Sequence, residues 1–331
     1  MGDPGGIGPE VLAKAVLQSG FLKKCTPVLV GIKSAFQQLP GGLFSKLRCR
    51  EIYSFDSEQF QSGRLHFLDV TEPLKKTAAA RKIKLPNQSG FSTGKISKSN
   101  ALGAWLSLEI SVQAAMEGRV QAVVTAPVNK TAMRLLKPGF QGHTEYLAQK
   151  AHAREFAMMF VGPKLKVTLA TVHVALKDVS RNLSKRGIVQ KILLTDEFLR
   201  MRMKVKKPRI AVCALNPHGE ETGSEENETI RPAVLTARKR GVNVFGPFSA
   251  DQLFYEAYEG RYDALISMYH DQALAPFKMI SFHDGVNVTL GLPFVRTSPD
   301  HGTAFDIAYQ NKAQSASMGA AIGLAARLTQ P

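Results

Sequence analysis

Residues 263–272, DALISMYHDQ, set an apolar run directly against ionisable side chains. Asp263 to Met268 reads as a short buried strand. His270 therefore lies just past a strand's carboxyl end, the edge at which open α/β sheets build ligand sites. From Met268 the chain continues MYHDQALAPFKMISFHDGVNVTLGLPFVRTSPDHGTAFD to Asp306. Lys278, Asn287 and Arg296 are spaced along this turn-rich stretch as donors suited to an anionic substrate. Asp300 to Ala304 (DHGTA) predicts the opening of a short helix, whose free amides would favour phosphate or another anion.

The placement of His270 occurs twice more. His173 follows KVTLATV, and His218 follows RIAVCALNP. Parallel strands in one sheet would bring these ends to a common edge, where three imidazoles match a metal site with an open position. A single histidine so placed more often bonds to backbone; three repeating the placement favour a metal. His66, His152, His283 and His301 lack the pattern; His66 and His152 are read as structural or surface residues, and His283, beside Asp284 in a turn, is given no role.

Working outward, strands and helices alternate. Strands are expected at Pro27–Gly31, Leu65–Val70, Ala122–Thr125, Ala157–Val161, Lys166–Thr171 and Arg209–Leu215. Helices are expected after Gly8-Pro9-Glu10, and over Lys33–Leu39, Asn100–Glu117, His143–Lys150, Arg186–Arg202 and Glu225–Arg240. Asn100 is the expected cap of the clearest helix, with Leu102, Trp105, Leu106, Ile110 and Met116 on its apolar face and Gly118 at its end. Thr144 is the expected cap of the helix from His143. Thr77 to Ser97 reads as a basic, polar loop. The alternation predicts an α/β fold with largely parallel sheets. The glycines at the N-terminus do not fit G-x-G-x-x-G, because Val11 stands at the last glycine. Gly94-Lys95 is not a P-loop, because Ile96 stands where Ser or Thr must meet magnesium.

An apolar share of 44% and a charged share of 21% are those of a soluble globular chain, and no apolar run reaches the ~18 residues of a membrane span. Cys25, Cys49 and Cys213 are odd in number and widely spaced, which suits free thiols in a reducing cytoplasm. The net charge of +16 raises nucleic acid as a partner. The densest basic run, Arg200–Arg209, has no interleaved aromatics and matches no recognition module, so nucleic-acid binding is set aside. Diffuse positive charge would still steer phosphorylated ligands.

Several longer motifs occur in a specific order: GDPGGIGPE at 2–10, STGKIS at 92–97, TAPVNK at 125–130, GHTEYLA at 142–148, LATVH at 169–173 and NPHGE at 216–220. With the 268–306 stretch they resemble the 4-hydroxythreonine-4-phosphate dehydrogenases, relatives of isocitrate and isopropylmalate dehydrogenases, over nearly the whole chain. The resemblance implies an isopropylmalate-dehydrogenase-like fold of two α/β/α lobes, one of 1–127 plus 297–331 and the other of 128–296. The active site would lie in the cleft between them. It implies a homodimer with shared active sites, and His173, His218 and His270 as ligands of a divalent metal (zinc, magnesium or cobalt). His143, Thr144, Lys278, Asn287 and Arg296 would bind substrate. Lys278 is the candidate general base. NAD, or NADP, would bind near Gly302 and Thr303 in HGTAFDIA (301–308). The implied reaction is oxidation of 4-phosphooxy-L-threonine followed by decarboxylation, in pyridoxal-phosphate synthesis.

Three departures from the family stand out. Family members carry residues ahead of the GDPGG turn, so a preceding strand is expected to be missing. The segment GEETGSEENE after His218 is shorter than the family's glycine-rich version. YQNKA after Ala308 replaces a Gly-Lys-Gly run, which bears on cofactor affinity. Two other functions fit the motifs: a dehydrogenase of a phosphorylated sugar acid such as 4-phosphothreonate or 4-phosphoerythronate, and a non-catalytic metal-binding protein.

Overall fold

The computed structural model describes residues 1–18, 20–86 and 90–330. The chain divides into two compact units, Met1–Ala151 with Pro293–Pro331, and His152–Leu292. The stretches 128–151 and 293–296, expected with the second lobe, fold with the first unit.

The first unit opens with a glycine-rich turn into α1 (Gly8–Gln18), followed by β1 (Val28–Gly31), α2 (Lys33–Gln37), α3 (Leu43–Lys46), β2 (Arg50–Ile52) and β3 (His66–Asp69). These strands form a parallel sheet in the order β1-β3-β2. Next come α4 (Thr71–Ala80), α5 (Lys98–Met116), β4 (Ala122–Val124), α6 (Lys130–Leu136) and α7 (His143–Lys150). After the second unit the chain returns as β11 (Val295–Pro299), parallel to β4, and α13 (Ala316–Leu328). The core of this unit packs Phe36 and Phe67 edge-on at 5.3 Å, with Val11, Leu74 and Leu102 fully buried around them.

α5 differs from the expected one-faced helix. Residues from Ser99 to Trp105 are all buried, while Met116 is exposed, so this is a central helix. Its cap is Ser97, whose hydroxyl accepts the Asn100 amide at 3.1 Å. Asn100, expected as the cap, instead holds the preceding loop. Its side chain accepts the Ser92 amide at 2.8 Å and donates to the Ser92 and Lys95 carbonyls. Of the stretch Thr77–Ser97 expected as loop, residues 77–80 complete α4, and 87–89 lie outside the described residues. The cap position of α7 is Gly142, not Thr144.

The second unit contains β5 (Ala157–Val161), β6 (Lys166–Leu169), α8 (Val179–Asn182), α9 (Lys185–Met201), β7 (Ile210–Cys213), α10 (Arg231–Lys239), β8 (Val244–Phe248), α11 (Ala250–Tyr258), β9 (Ala264–Ser267), α12 (His270–Ser281) and β10 (Val286–Leu290). The strand order is β10-β5-β6-β9-β7-β8. β6, β9, β7 and β8 run parallel, and β5 is antiparallel to both β6 and β10. The β5–β6 connection is the expected hairpin, with the Gly162 amide donating to the Leu165 carbonyl at 2.8 Å. Much of the 268–306 stretch, read as turns, is regular: it supplies α12, β10 and β11. Val167, Leu169, Ala211 and Leu265 are fully buried, as strands covered on both faces require. No helix among the described residues is long and apolar enough to cross a membrane.

Candidate active site

β6, β9 and β7 are consecutive and parallel, with Leu169 opposite Ser267 and Val212 opposite Ile266, so their carboxyl ends share one edge. Hydrogen bonds lock these ends together. The Ala170 amide donates to the Ser267 carbonyl at 2.8 Å, and the Thr171 hydroxyl to the Met268 carbonyl at 2.7 Å. Gln272, in the first turn of α12, joins β9 to β7. Its side-chain oxygen accepts the Met268 amide at 2.7 Å, and its nitrogen donates to the Ala214 carbonyl at 2.7 Å.

Two of the three strand-end histidines meet on this edge. The rings of His173 and His270 lie 6.2 Å apart at 36°. His270 Nδ1 is 2.7 Å from Asp271 Oδ1. A carboxylate on Nδ1 fixes the tautomer and leaves Nε2 as the ligand atom, the usual arrangement behind a metal-bound histidine. His218 does not join them, and among the described residues no three histidine, cysteine or acidic side chains form a metal-binding group. His218 stands five positions past the end of β7, in a left-handed conformation (φ 55°), at the start of a short 3-10 turn, Gly219–Glu221. Its loop is held from below. Buried Glu226 accepts the amides of Leu215 at 2.8 Å and Asn216 at 2.9 Å, at the head of a π-helix, Glu226–Ile230.

In the first unit, Arg296 on β11 is buried and donates to the Thr125 hydroxyl at 2.7 Å, just past the end of β4. Burial lowers its pKa to about 10, opposed by the negative charge of Glu145. His143 opens α7, and buried Thr144 follows it. Burial, then the charges of Arg296, the amino terminus and Lys130, hold His143 well below the ordinary imidazole range. A neutral imidazole beside a buried guanidinium can donate one hydrogen bond to an anion without adding charge of its own. Lys278, half-buried on α12, and Asn287, buried on β10, belong to the second unit. Lys278 follows His270 by eight positions on one helix, about 12 Å along the axis.

Asp300–Ala304 does not open a helix; α13 begins only at Ala316. The Thr303 carbonyl accepts the Ile7 amide at 2.9 Å, and Ala304 has φ 39°, which breaks any helical run. A Cβ on Gly6 would come within 2.7 Å of that Thr303 carbonyl, which accounts for one glycine of the GDPGGIGPE turn. Gly302 is exposed, with open space where a side chain would be.

Gln272, Asp271, Glu226 and Thr125 lie in stretches that the sequence singles out, but it assigns them no role of their own. Asp271 and Gln272 follow His270 directly, so their proximity was a signal. Glu226 lies in an acidic run that reads as solvated surface, and no local pattern marks it as buried.

The family described as "Pyridoxal phosphate biosynthetic protein PdxA" matches residues 23–325. The chain is 40% identical, over 99% of its length and 97% of the relative's, to a D-threonate 4-phosphate dehydrogenase of Salmonella typhimurium. It is 41% identical to a 4-hydroxythreonine-4-phosphate dehydrogenase of Desulforapulum autotrophicum, covering 98% of this chain and 93% of that one. A crystal structure of 4-hydroxythreonine-4-phosphate dehydrogenase from Klebsiella pneumoniae superposes with a TM-score of 0.84 at 36% identity, covering 100% of this chain and 98% of the other.

Proposed function

The chain belongs to the family of the pyridoxal phosphate biosynthetic protein PdxA, and on that footing we propose that it is an NAD-dependent dehydrogenase acting on 4-phosphooxy-L-threonine. The observation that carries this reading is the full-length match to relatives bearing that activity in their names, 41% identical in one case. The C3 alcohol gives its hydride to the nicotinamide ring and its hydroxyl proton to a base, leaving 2-amino-3-oxo-4-phosphooxybutanoate and NADH. The carboxylate, now β to a ketone, leaves as carbon dioxide, and protonation of the carbon it left gives 3-amino-2-oxopropyl phosphate.

In this proposal Arg296 supplies the cation to the substrate's anionic groups, with Lys278, Asn287, Thr144 and neutral His143 as hydrogen-bonding partners. Lys278 is also the proposed proton acceptor. The His173–His270 pair, with Asp271 behind His270, fits two positions of a three-histidine divalent metal site. A bound ion there would act as a Lewis acid on the reacting alcohol. Because His218 does not complete the set with this pair among the described residues, we place His218 of a second copy at the third position, which makes the active unit a homodimer. Gly302 and Thr303 are the proposed cofactor contacts, NAD being preferred to NADP. The free thiols of Cys25, Cys49 and Cys213 support a cytoplasmic setting.

A second reading has its own observation, the 40% identity to a D-threonate 4-phosphate dehydrogenase. That substrate has the same phosphate, carboxylate and C3 alcohol and differs at C2, hydroxyl for ammonium, so every residue named serves either. The test is NADH production from each compound, with and without a chelator. Metal-dependent turnover favouring the amino acid supports the first reading, and turnover of threonate phosphate alone supports the second. No turnover of either, by a folded and metal-loaded dimer, removes both.

A further inference from the structure

A cleft of about 410 Å³ opens between the end of α4 and the start of α5. Among the described residues, four cations line it, Arg81, Lys82, Lys84 and Lys98, and no carboxylate does. All four are exposed, and among the described residues none has an ion-pair partner. Hydroxyls of Ser92, Ser97 and Ser99 complete the polar wall. The cleft shares no lining residue with the small cavity beside His143.

Part of this charge has a plain structural account. Arg81 and Lys82 follow the last turn of α4, where the helix dipole favours cations. Lys98 has no such account. It is the first residue of α5, a 19-residue helix, where the dipole disfavours a cation. The first amides of α5 have no acceptor within the helix, and Ser97 Oγ takes only that of Asn100. A lysine ammonium, a helix N-terminus and three further cations around one concavity repel one another unless an anion lies between them. The volume is within the ~300–1,000 Å³ of small-molecule sites. Among the described residues its apolar lining is Ile83 and Pro86, with no aromatic face for a base to stack on.

We infer that this cleft is a binding site for a small polyanion, a group carrying two linked or neighbouring phosphates. None of the residues proposed to bind substrate lines this cleft, and only its dinucleotide source rests on the NAD dependence proposed above. Two sources offer that chemistry: the pyrophosphate of a dinucleotide, and a free di- or bisphosphate metabolite. Inorganic pyrophosphate is the probe.

Titration calorimetry on the full chain at low ionic strength is expected to show one saturable site per chain that weakens as salt rises. Lys84→Gln with Lys98→Gln should raise the dissociation constant roughly tenfold or more, as loss of charge-assisted bonds requires. Lys204→Gln with Lys206→Gln removes the same charge from another surface and should leave it unchanged. Independently of any variant, pyrophosphate should slow acylation of Lys84 and Lys98 in the unaltered protein. Ligand-free Lys98→Gln should melt no lower than the parent, because it relieves the clash with the dipole. Displacement of pyrophosphate by NAD assigns the site to the dinucleotide; retention under saturating NAD assigns it to a free polyanion. Absence of saturable binding, an equal loss in the Lys204/Lys206 variant, or no protection of Lys84 and Lys98 overturns the inference.

Discussion

Gln272→Leu is the most informative single change at the strand edge. The side chain bridges the Met268 amide and the Ala214 carbonyl, both at 2.7 Å, and Met268 and Ala214 are buried. Leucine matches glutamine in size but leaves a donor and an acceptor without partners. At about 1–1.5 kcal/mol for each lost bond, the change should cost roughly 2–3 kcal/mol. It also removes the side-chain tie between the ends of β9 and β7, whose backbone pairing remains, so the segments carrying His270 and His218 lose a shared anchor. Glutamate at 272 keeps the acceptor for Met268 but turns a carboxylate oxygen toward the Ala214 carbonyl, so it should rescue only part of the loss. Urea unfolding reads the stability, and titration with a divalent ion reads metal affinity, which should weaken about 10–100-fold, as for other residues that orient metal ligands. If Gln272→Leu unfolds within 0.5 kcal/mol of the parent (about the usual spread for surface changes) and binds metal equally well, the bridge does not organise this edge.

Other expectations follow from the same geometry. Asp271→Asn should weaken metal binding about 10–100-fold with little change in unfolding, checked by competition with a chelator. Arg296→Lys should raise KM for the phosphorylated substrate at least about tenfold, since a point charge does not replace a guanidinium fork; steady-state kinetics would show it, and an unchanged KM would exclude Arg296 from the substrate site. His143 has its folded pKa well below its unfolded value, so the unfolded chain takes up a proton that the native one refuses as pH falls below about 6.5. Its contribution therefore lowers stability in acid and vanishes above that pH. Asp3 acts oppositely, since burial raises its pKa to about 6, so the readout is the difference in melting temperature between parent and His143→Asn across pH 5.5–7.5. Mixing inactive His218→Ala and His270→Ala chains should restore about one quarter of parental activity, because half the dimers are mixed and each then holds one intact site. No recovery would place all three ligands in one chain.

What was legible in the sequence is what repeats with a period. The buried strands before His173, His218 and His270 were visible as apolar runs, and their common edge followed from parallel pairing. Elements fixed by tertiary packing were not. α4 carries a basic, alanine-rich sequence with no strong apolar stripe, and only Leu74 and Ala78 are buried. α12 begins with His-Asp-Gln and contains Pro276, so local propensity argues against it; it forms because Ala273, Leu274 and Phe277 pack into the core of the second unit. The anchoring roles of Glu226 and Gln272 depend on backbone groups far off in sequence or across the sheet, and no periodicity encodes them. The DHGTA helix failed for the opposite reason: a good local start signal was overridden when the Thr303 carbonyl took the Ile7 amide.

The YQNKA departure is where the fold's control over sequence is clearest. Tyr309 and Asn311 have φ of 61° and 62°, the left-handed region in which the resemblance leads one to expect glycine. A residue with a Cβ loses about 1–2 kcal/mol there, less for asparagine. The turn persists because the rest of the first unit holds it. The Tyr309 hydroxyl lies 2.7 Å from the Pro4 carbonyl and 3.1 Å from that of Ala35. Burial, with the charges of Asp3 and Glu10, keeps that hydroxyl protonated as a donor. Its ring stacks on Phe91 at 5.7 Å. Lys14 donates to the Asn311 and Ala313 carbonyls, both at 2.9 Å, and buried Glu10 accepts the Ala313 amide at 2.9 Å. One hydrogen bond and one ring pair, at about 1 kcal/mol each, are enough to offset the backbone strain at Tyr309. The path after Ala308 is thus imposed by α1 and the glycine-rich turn before it, and replacing glycine changes what the segment is made of more than where it runs.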